Sequence, residues 1–297
     1  MCLRDLPEKT RQAAIAGRNS QRIFSSISNY FRESELKAKT GGFLLAIDIG
    51  NSSISCGLFK SGALKHHFSI CSNEFPKIGP IINKCGGRNI IDKVIIVSVN
   101  PKLTGKLRVK LQKIVPKRSI LVLGRDVKVK IKHQYASINQ LGLDRLVNIY
   151  GAIRWYRRPI LIIDFGTATT FDLVTKRGTF KGGLIIPGIE TAWEALIRRA
   201  ALLPKLEINR KQKMPLVGTS TVSCMQAGLL QGFGAMVDGL IERYTKRKGE
   251  RFTILAAGGL ARLIRPYVLH PMKLDPFHTI KSLAFIAADR EKRSLHG

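Results

Sequence analysis

Acidic residues are scarce in this chain of 297. Asp and Glu together number 20 against 50 Lys and Arg, a formal charge of +30. Such an excess points first to a polyanionic partner, nucleic acid or an acidic membrane surface. The densest stretch runs from Lys102 to Lys132, where Lys102, Lys106, Arg108, Lys110, Lys113, Lys117, Arg118, Arg125, Lys128, Lys130 and Lys132 meet one acid, Asp126. Apolar residues separate them at strand and helix spacing, as on the solvated face of ordinary amphipathic elements. The sequence shows no zinc finger, recognition helix or clustered aromatics of a nucleic-acid module. A solvated surface with weak, nonspecific polyanion binding is the expectation.

Paired cysteines are missing as well. Cys2, Cys56, Cys71, Cys85 and Cys224 are an odd number, widely spread, with no Cys-x-x-Cys and no His at metal-ligand spacing. That excludes a disulfide framework and a structural zinc site, and fits thiols in a reducing, cytoplasmic compartment. Long apolar runs are absent too. Gly42 to Ile49 is broken by Asp48 and Val94 to Val99 is short, so no membrane partner is expected. With 44% hydrophobic residues the chain can still bury one large core or two smaller ones.

Residues 1–42 are basic and Ser-rich with little apolar periodicity, and no secretory signal is visible in them. They are expected to form a flexible extension outside the fold, either a tail or the product of an upstream start codon. From Phe43 strands and helices alternate. Phe43 to Ile47, Ile54 to Phe59, Ala63 to Ile70 and Val94 to Val99 have strand character. Leu103 to Ile114 fits a helix, and Leu143, Leu146, Val147, Tyr150 and Ile153 share one helical face.

The pattern then restarts with strands at Ile160 to Ile163, Thr169 to Val174 and Thr179 to Ile186. A long helix from Ser220 to Tyr244, a strand at Phe252 to Ala256 and a last helix near Phe277 to Ala288 follow. Asp48-Ile49-Gly50-Asn51-Ser52-Ser53 aligns with Asp164-Phe165-Gly166-Thr167-Ala168-Thr169, an internal repeat. The expected fold is α/β and duplicated, with halves 43–155 and 156–297 around a cleft.

An Asp ending a buried strand, followed by Gly and small polar residues, puts a carboxylate beside a turn whose N–H groups and hydroxyls can hold phosphate. One such Asp-x-Gly is as readily a capped turn. Two in matched positions point to a nucleotide phosphate site. The pair resembles the superfamily of actin, sugar kinases, acetate kinase and heat-shock ATPases, with their duplicated ribonuclease-H-like fold. Ala256-Ala257-Gly258-Gly259-Leu260-Ala261 resembles that superfamily's adenosine turn; otherwise it is a plain strand-to-helix turn.

The order of Leu44 to Ser52, Gly142-Leu143-Asp144-Arg145, Asp164 to Thr170, Gly182-Gly183-Leu184-Ile185-Ile186-Pro187-Gly188 and Thr221 to Gly228 narrows the match. Over about residues 43 to 288 the chain resembles type III pantothenate kinases. The resemblance implies transfer of phosphate from ATP to pantothenate in coenzyme A synthesis, with Mg²⁺, a monovalent cation (K⁺ or NH₄⁺) and a homodimer. It implies ATP binding by Asp48, Ile49, Gly50, Asn51, Ser52, Ser53, Ile54, Ser55 and Thr167, and cation binding by Asp164.

It also implies substrate contacts from Tyr135, Gly142, Leu143, Asp144, Arg145 and Thr221, with Asp144 as general base and Arg145 on the pantothenate carboxylate. Capping or packing remains an alternative for Asp144, Tyr135 and Thr221, and a surface salt bridge for Arg145. Ser52 stands where the family usually has Thr, and Ala136 to Asn139 lacks a customary proline. A regulatory, non-catalytic relative and a sugar or short-acid kinase of the same superfamily are the competing readings. Trp155, Trp193 and the strand-surface pair His66-His67 are not expected in the site.

Overall fold

A computed structural model describes residues 42–84, 90–200, 203–204, 207–210 and 212–295. The expected basic extension lies outside the described residues except for Gly42, as do Cys2 and Cys85. The chain divides into two compact units. One gathers the described residues up to Lys130, with Gly142–Val147 and those from Ile280 onward; the other holds Ile131–Leu141 and Asn148–Thr279.

In the first unit β1 (Phe43–Ile49), β2 (Ser53–Lys60) and β3 (Ala63–Cys71) form an antiparallel meander. After α1 (Ile78–Lys84), β4 (Ile91–Ser98) joins β1 in parallel. Then α2 (Pro101–Leu111) leads to β5 (Ile120–Val122), parallel to β4, and the sheet order is β3-β2-β1-β4-β5. Val94, Ile95, Ile96 and Val97 are all fully buried, which is why β4 is an unbroken apolar run rather than an alternating one. Each such Ile contributes about 1.5–3 kcal/mol by leaving water. Asn100 starts α2 by accepting the Leu103 N–H at 3.1 Å, and Pro101 follows at a position where its missing N–H costs nothing.

In the second unit, α3 (Leu143–Trp155), whose first residues belong to the first unit, precedes β6 (Ile160–Phe165), β7 (Ala168–Val174) and β8 (Phe180–Pro187). These strands are again an antiparallel meander. Next come α4 (Ile189–Arg199) and α5 (Thr221–Lys248). β9 (Thr253–Ala257), the one-turn α6 (Ala261–Ile264) and β10 (Lys273–Leu274) follow. The order β10-β9-β6-β7-β8 repeats that of β5-β4-β1-β2-β3. Two mixed sheets with one topology make the α/β fold a duplication.

The repeat is not uniform, because the β1–β2 hairpin spends residues 50–52 on its turn and the β6–β7 hairpin only 166–167. The last helix, α7 (His278–Leu295), buries Ile280, Leu283 and Ile286. Gly57 in β2 admits it: a β-carbon there would overlap the Ile280 side chain.

Candidate active-site segments

Within the first unit, Asp48 lies one residue from the end of β1, opposite Ser55 of β2 and Val97 of β4. Side chains directly opposite across a ladder share a face, so Asp48 and Ser55 stand side by side. Ser55 Oγ is 2.8 Å from His67 Nε2, and burial lowers the His67 pKa to about 4, so the ring is a neutral partner at pH 7. The turn after Asp48 is closed by Gly50 N–H donating to Ser53 O at 2.9 Å and by Ser72, whose N–H reaches Ser52 O at 2.9 Å. Asn51 and Ser52 are exposed at its tip, whereas Ile49 and Ile54 are fully buried. Those two isoleucines can therefore meet a phosphate through their main chain only. Mg²⁺ keeps several waters and needs one or two carboxylates beside substrate phosphates. One Asp beside a hydroxyl-bearing turn fits that demand.

Also in the first unit, Gly142-Leu143-Asp144-Arg145 opens α3. Asp144 Oδ1 accepts the Arg145 N–H at 2.8 Å, so the carboxylate covers one of the unpaired donors of the helix start while remaining half-exposed. A β-carbon on Gly142 would come 2.5 Å from Asp144 Oδ1, which ties the glycine to the position of the acid. Arg145 is 6% exposed. It is therefore not a surface residue.

Within the second unit, Asp164 occupies in β6 the place of Asp48 in β1, opposite Thr170 of β7 and Ala257 of β9. The buried Asn148 of α3 donates its amide to Asp164 Oδ2 at 2.8 Å. Asn148 Oδ1 and Thr170 Oγ1 are buried oxygens with no hydrogen-bond partner among the described residues. A carboxylate with unsatisfied oxygen acceptors around it is a donor set suited to a monovalent cation. No group of three His, Cys, Asp or Glu residues suited to a metal occurs among the described residues. The Gly258-Gly259-Leu260 turn packs here too, with Leu260 N–H donating to Phe165 O at 3.2 Å.

Thr167 is exposed at the tip of the β6–β7 turn. Its carbonyl accepts from Gly188 N–H at 3.0 Å and Thr191 Oγ1 at 2.7 Å, which brace the turn against the start of α4. Tyr135 is half-buried against β8, its ring 5.5 Å from that of Phe180. Thr221 is the exposed first residue of α5. The capping considered for it belongs to Ser220, whose hydroxyl accepts the Ser223 N–H at 3.2 Å. Trp193 is buried in α4, and Trp155 is partly exposed with an edge contact to His278. The sequence pattern did not single out Asn148 or the side chain of Thr170, nor the contact of His67 with Ser55. Asn148, four residues after Asp144 in the same helix, was the most accessible of the three.

A family profile described as Type III pantothenate kinase matches residues 44–243. A type III pantothenate kinase from Moorella thermoacetica is 37% identical over 251 residues, covering 82% of this chain and 98% of its own. One from Brevibacillus brevis is 35% identical over 251 residues, covering 82% of this chain and 97% of its own. Among solved structures, a provisionally named 2-dehydro-3-deoxygalactonokinase from Sinorhizobium meliloti superposes with a TM-score of 0.51 at 10% identity. It covers 83% of this chain and 96% of its own, a likeness of fold. With a profile spanning most of the chain and relatives above 30% identity along nearly their whole length, this chain belongs to the type III pantothenate kinase family.

Proposed function

We propose that this chain transfers the γ-phosphoryl group of ATP to the primary hydroxyl of pantothenate, giving ADP and 4′-phosphopantothenate, the first step of coenzyme A synthesis. The observation that carries the reading is family membership across residues 44–243 in a chain that retains Asp48, Asp144, Arg145 and Asp164. The regulatory alternative would expect these groups to be lost.

Asp144 is the general base: it takes the hydroxyl proton as that oxygen attacks the γ-phosphorus, a contribution of about 10²- to 10⁴-fold. Arg145 holds the pantothenate carboxylate with its planar, two-pronged guanidinium, and Gly142, Leu143, Tyr135 and Thr221 line the same substrate. The turn residues Gly50 to Ser53 with Ser55, and Thr167, hold the ATP phosphates through N–H groups and hydroxyls; Ile49 and Ile54 serve through their backbone. Asp48 orients Mg²⁺, which when bound neutralises phosphate charge. Asp164 would hold the monovalent cation, which when bound would supply positive charge that favours the anionic transition state.

The chain works in the cytoplasm, where ATP is supplied, and as a homodimer. The exposed Leu216, Val217 and Val222 around the start of α5 support that assembly. The charge of +30 supports weak, salt-sensitive polyanion binding without sequence preference.

The test is purified protein with ATP, Mg²⁺ and K⁺, offered pantothenate and a panel of sugars and short acids. Phosphorylation of pantothenate alone is expected. Turnover of a sugar in its place, or no turnover at millimolar ATP, overturns the reading.

A further inference from the structure

We propose that Asn148 and Thr170 complete the cation site at Asp164: Asn148 positions the carboxylate through its amide and presents Oδ1 to the cation, and Thr170 presents Oγ1. The inference rests on the reading of Asp164 as the cation-binding residue, and the experiment below separates the two.

Both side chains are more than nine-tenths buried, Asn148 at 1% and Thr170 at 9% exposed. Each carries an oxygen without a hydrogen-bond partner among the described residues. An orphaned buried polar atom costs about 1–3 kcal/mol, so two beside one carboxylate are a concentrated cost that a ligand would remove. The orientation of the Asn148 amide is not arbitrary. Its nitrogen faces Asp164 Oδ2 at 2.8 Å, and the reversed amide would set oxygen against carboxylate. The direction of Oδ1 is therefore set by the hydrogen bond, and covalent geometry keeps it within about 5 Å of Asp164. Thr170 stands directly opposite Asp164 in the β6–β7 ladder, on the same face, with β-carbons about 4.5–5.5 Å apart.

The main chain of Asn148 is held as firmly as its side chain. His278, fully buried, lies with Nε2 2.9 Å from Asn148 O, so that nitrogen carries the proton and donates. Its other nitrogen is 3.7 Å from Asp275 Oδ2, and Tyr156 Oη donates to the same carboxylate oxygen at 3.1 Å. Edge contacts from Trp155 and Tyr156, each with centroids 5.7 Å away, close the ring in. The charge balance favours a monovalent ion. One carboxylate with a neutral amide and a hydroxyl supplies a single negative charge, whereas an all-protein site for a divalent ion gathers several acids.

The experiment is a set of thermal melts of the full chain in KCl against choline chloride at equal ionic strength, with Mg²⁺ and ATP held constant. Wild type is compared with Asp164→Asn, Asn148→Ala and Thr170→Val. Thr170→Val keeps the side-chain shape and deletes only the orphaned hydroxyl, so it melts at or above wild type in choline. Its K⁺-induced rise in Tm should require about 10- to 100-fold more K⁺, as should that of Asn148→Ala.

If wild type responds to K⁺ and Asp164→Asn does not, while both other variants keep the wild-type K⁺ midpoint, the inference falls and the reading of Asp164 stands. A buried water in place of the cation would give that result. If wild type shows no response, or Asp164→Asn retains it, both fall together. Should Asn148→Ala fail to fold, Thr170→Val decides alone.

Discussion

Gly258 lies against Asp164 so closely that a β-carbon on the glycine would overlap Asp164 Oδ1 and sit 2.6 Å from Phe165 O. The φ of Gly258 is +87°, in the region that favours glycine, so two independent constraints exclude a side chain there. Gly258→Ala should lose about 1–2 kcal/mol from backbone strain alone, and more if Asp164 cannot move aside. Urea unfolding measures the loss, and a wild-type midpoint would contradict the close packing.

Asp144 and Gly142 are coupled in the same manner at the start of α3. Asp144→Asn keeps the oxygen that accepts the Arg145 N–H, so the melting temperature should change little while kcat falls by about 10²- to 10⁴-fold. Gly142→Ala should lower kcat without touching any charge, because its β-carbon occupies the space beside Asp144 Oδ1. Steady-state kinetics with circular-dichroism melts separate chemistry from folding. An active Asp144→Asn enzyme removes Asp144 from the role of base.

His67 makes stability depend on pH in a defined window. Burial lowers its pKa to about 4 in the folded state. The unfolded chain, with an ordinary value of about 6.5, therefore takes up the proton first. The contribution is complete above pH 6.5 and is lost as pH falls toward about 4. His67→Gln, which can still bond Ser55, should flatten the melting temperature across that interval. An unchanged slope in the variant would show that another group sets it.

Asp238 of α5 acts at lower pH. Burial pushes its carboxyl up, yet hydrogen bonds from the backbone N–H groups of Leu269 and His270 and from the His270 ring together bring it below the usual range. Its stabilising effect is present above about pH 3.9, the ordinary carboxyl value, and disappears as pH drops through the lowered one. Asp238→Ala leaves those donors unpaired and should cost about 1.5–3 kcal/mol at pH 7. Near pH 2 the difference from wild type should shrink. A constant difference across pH would mean that packing, not charge, is what the substitution removes.

Much of the architecture was legible because it is local. An apolar run, an Asp, a Gly and a hydroxyl-rich turn are contiguous in sequence, so both copies of the strand–turn–strand unit align by residue pattern alone. Two of the strands absent from the sequence pattern are very short. β5 has three residues and β10 two, too few for alternation to show. The difference between the two hairpins, one residue in turn length, likewise became visible only in the ladder register.

The sequence by itself determined the duplicated α/β topology, the positions of Asp48, Asp144 and Asp164 within it, and the family to which the chain belongs. These follow from residue patterns within one strand, turn or helix. Only the tertiary structure decided that Asn148 and Thr170 stand beside Asp164 with oxygens that lack a hydrogen-bond partner among the described residues, that Gly258 closes on the same carboxylate, and that His67 is a half-buried neutral partner of Ser55. The physical reason is that partners such as Asn148 and Asp164, or Gly258 and Asp164, meet only when separate elements pack side by side. No spacing along the chain records which oxygens that packing leaves without a hydrogen bond.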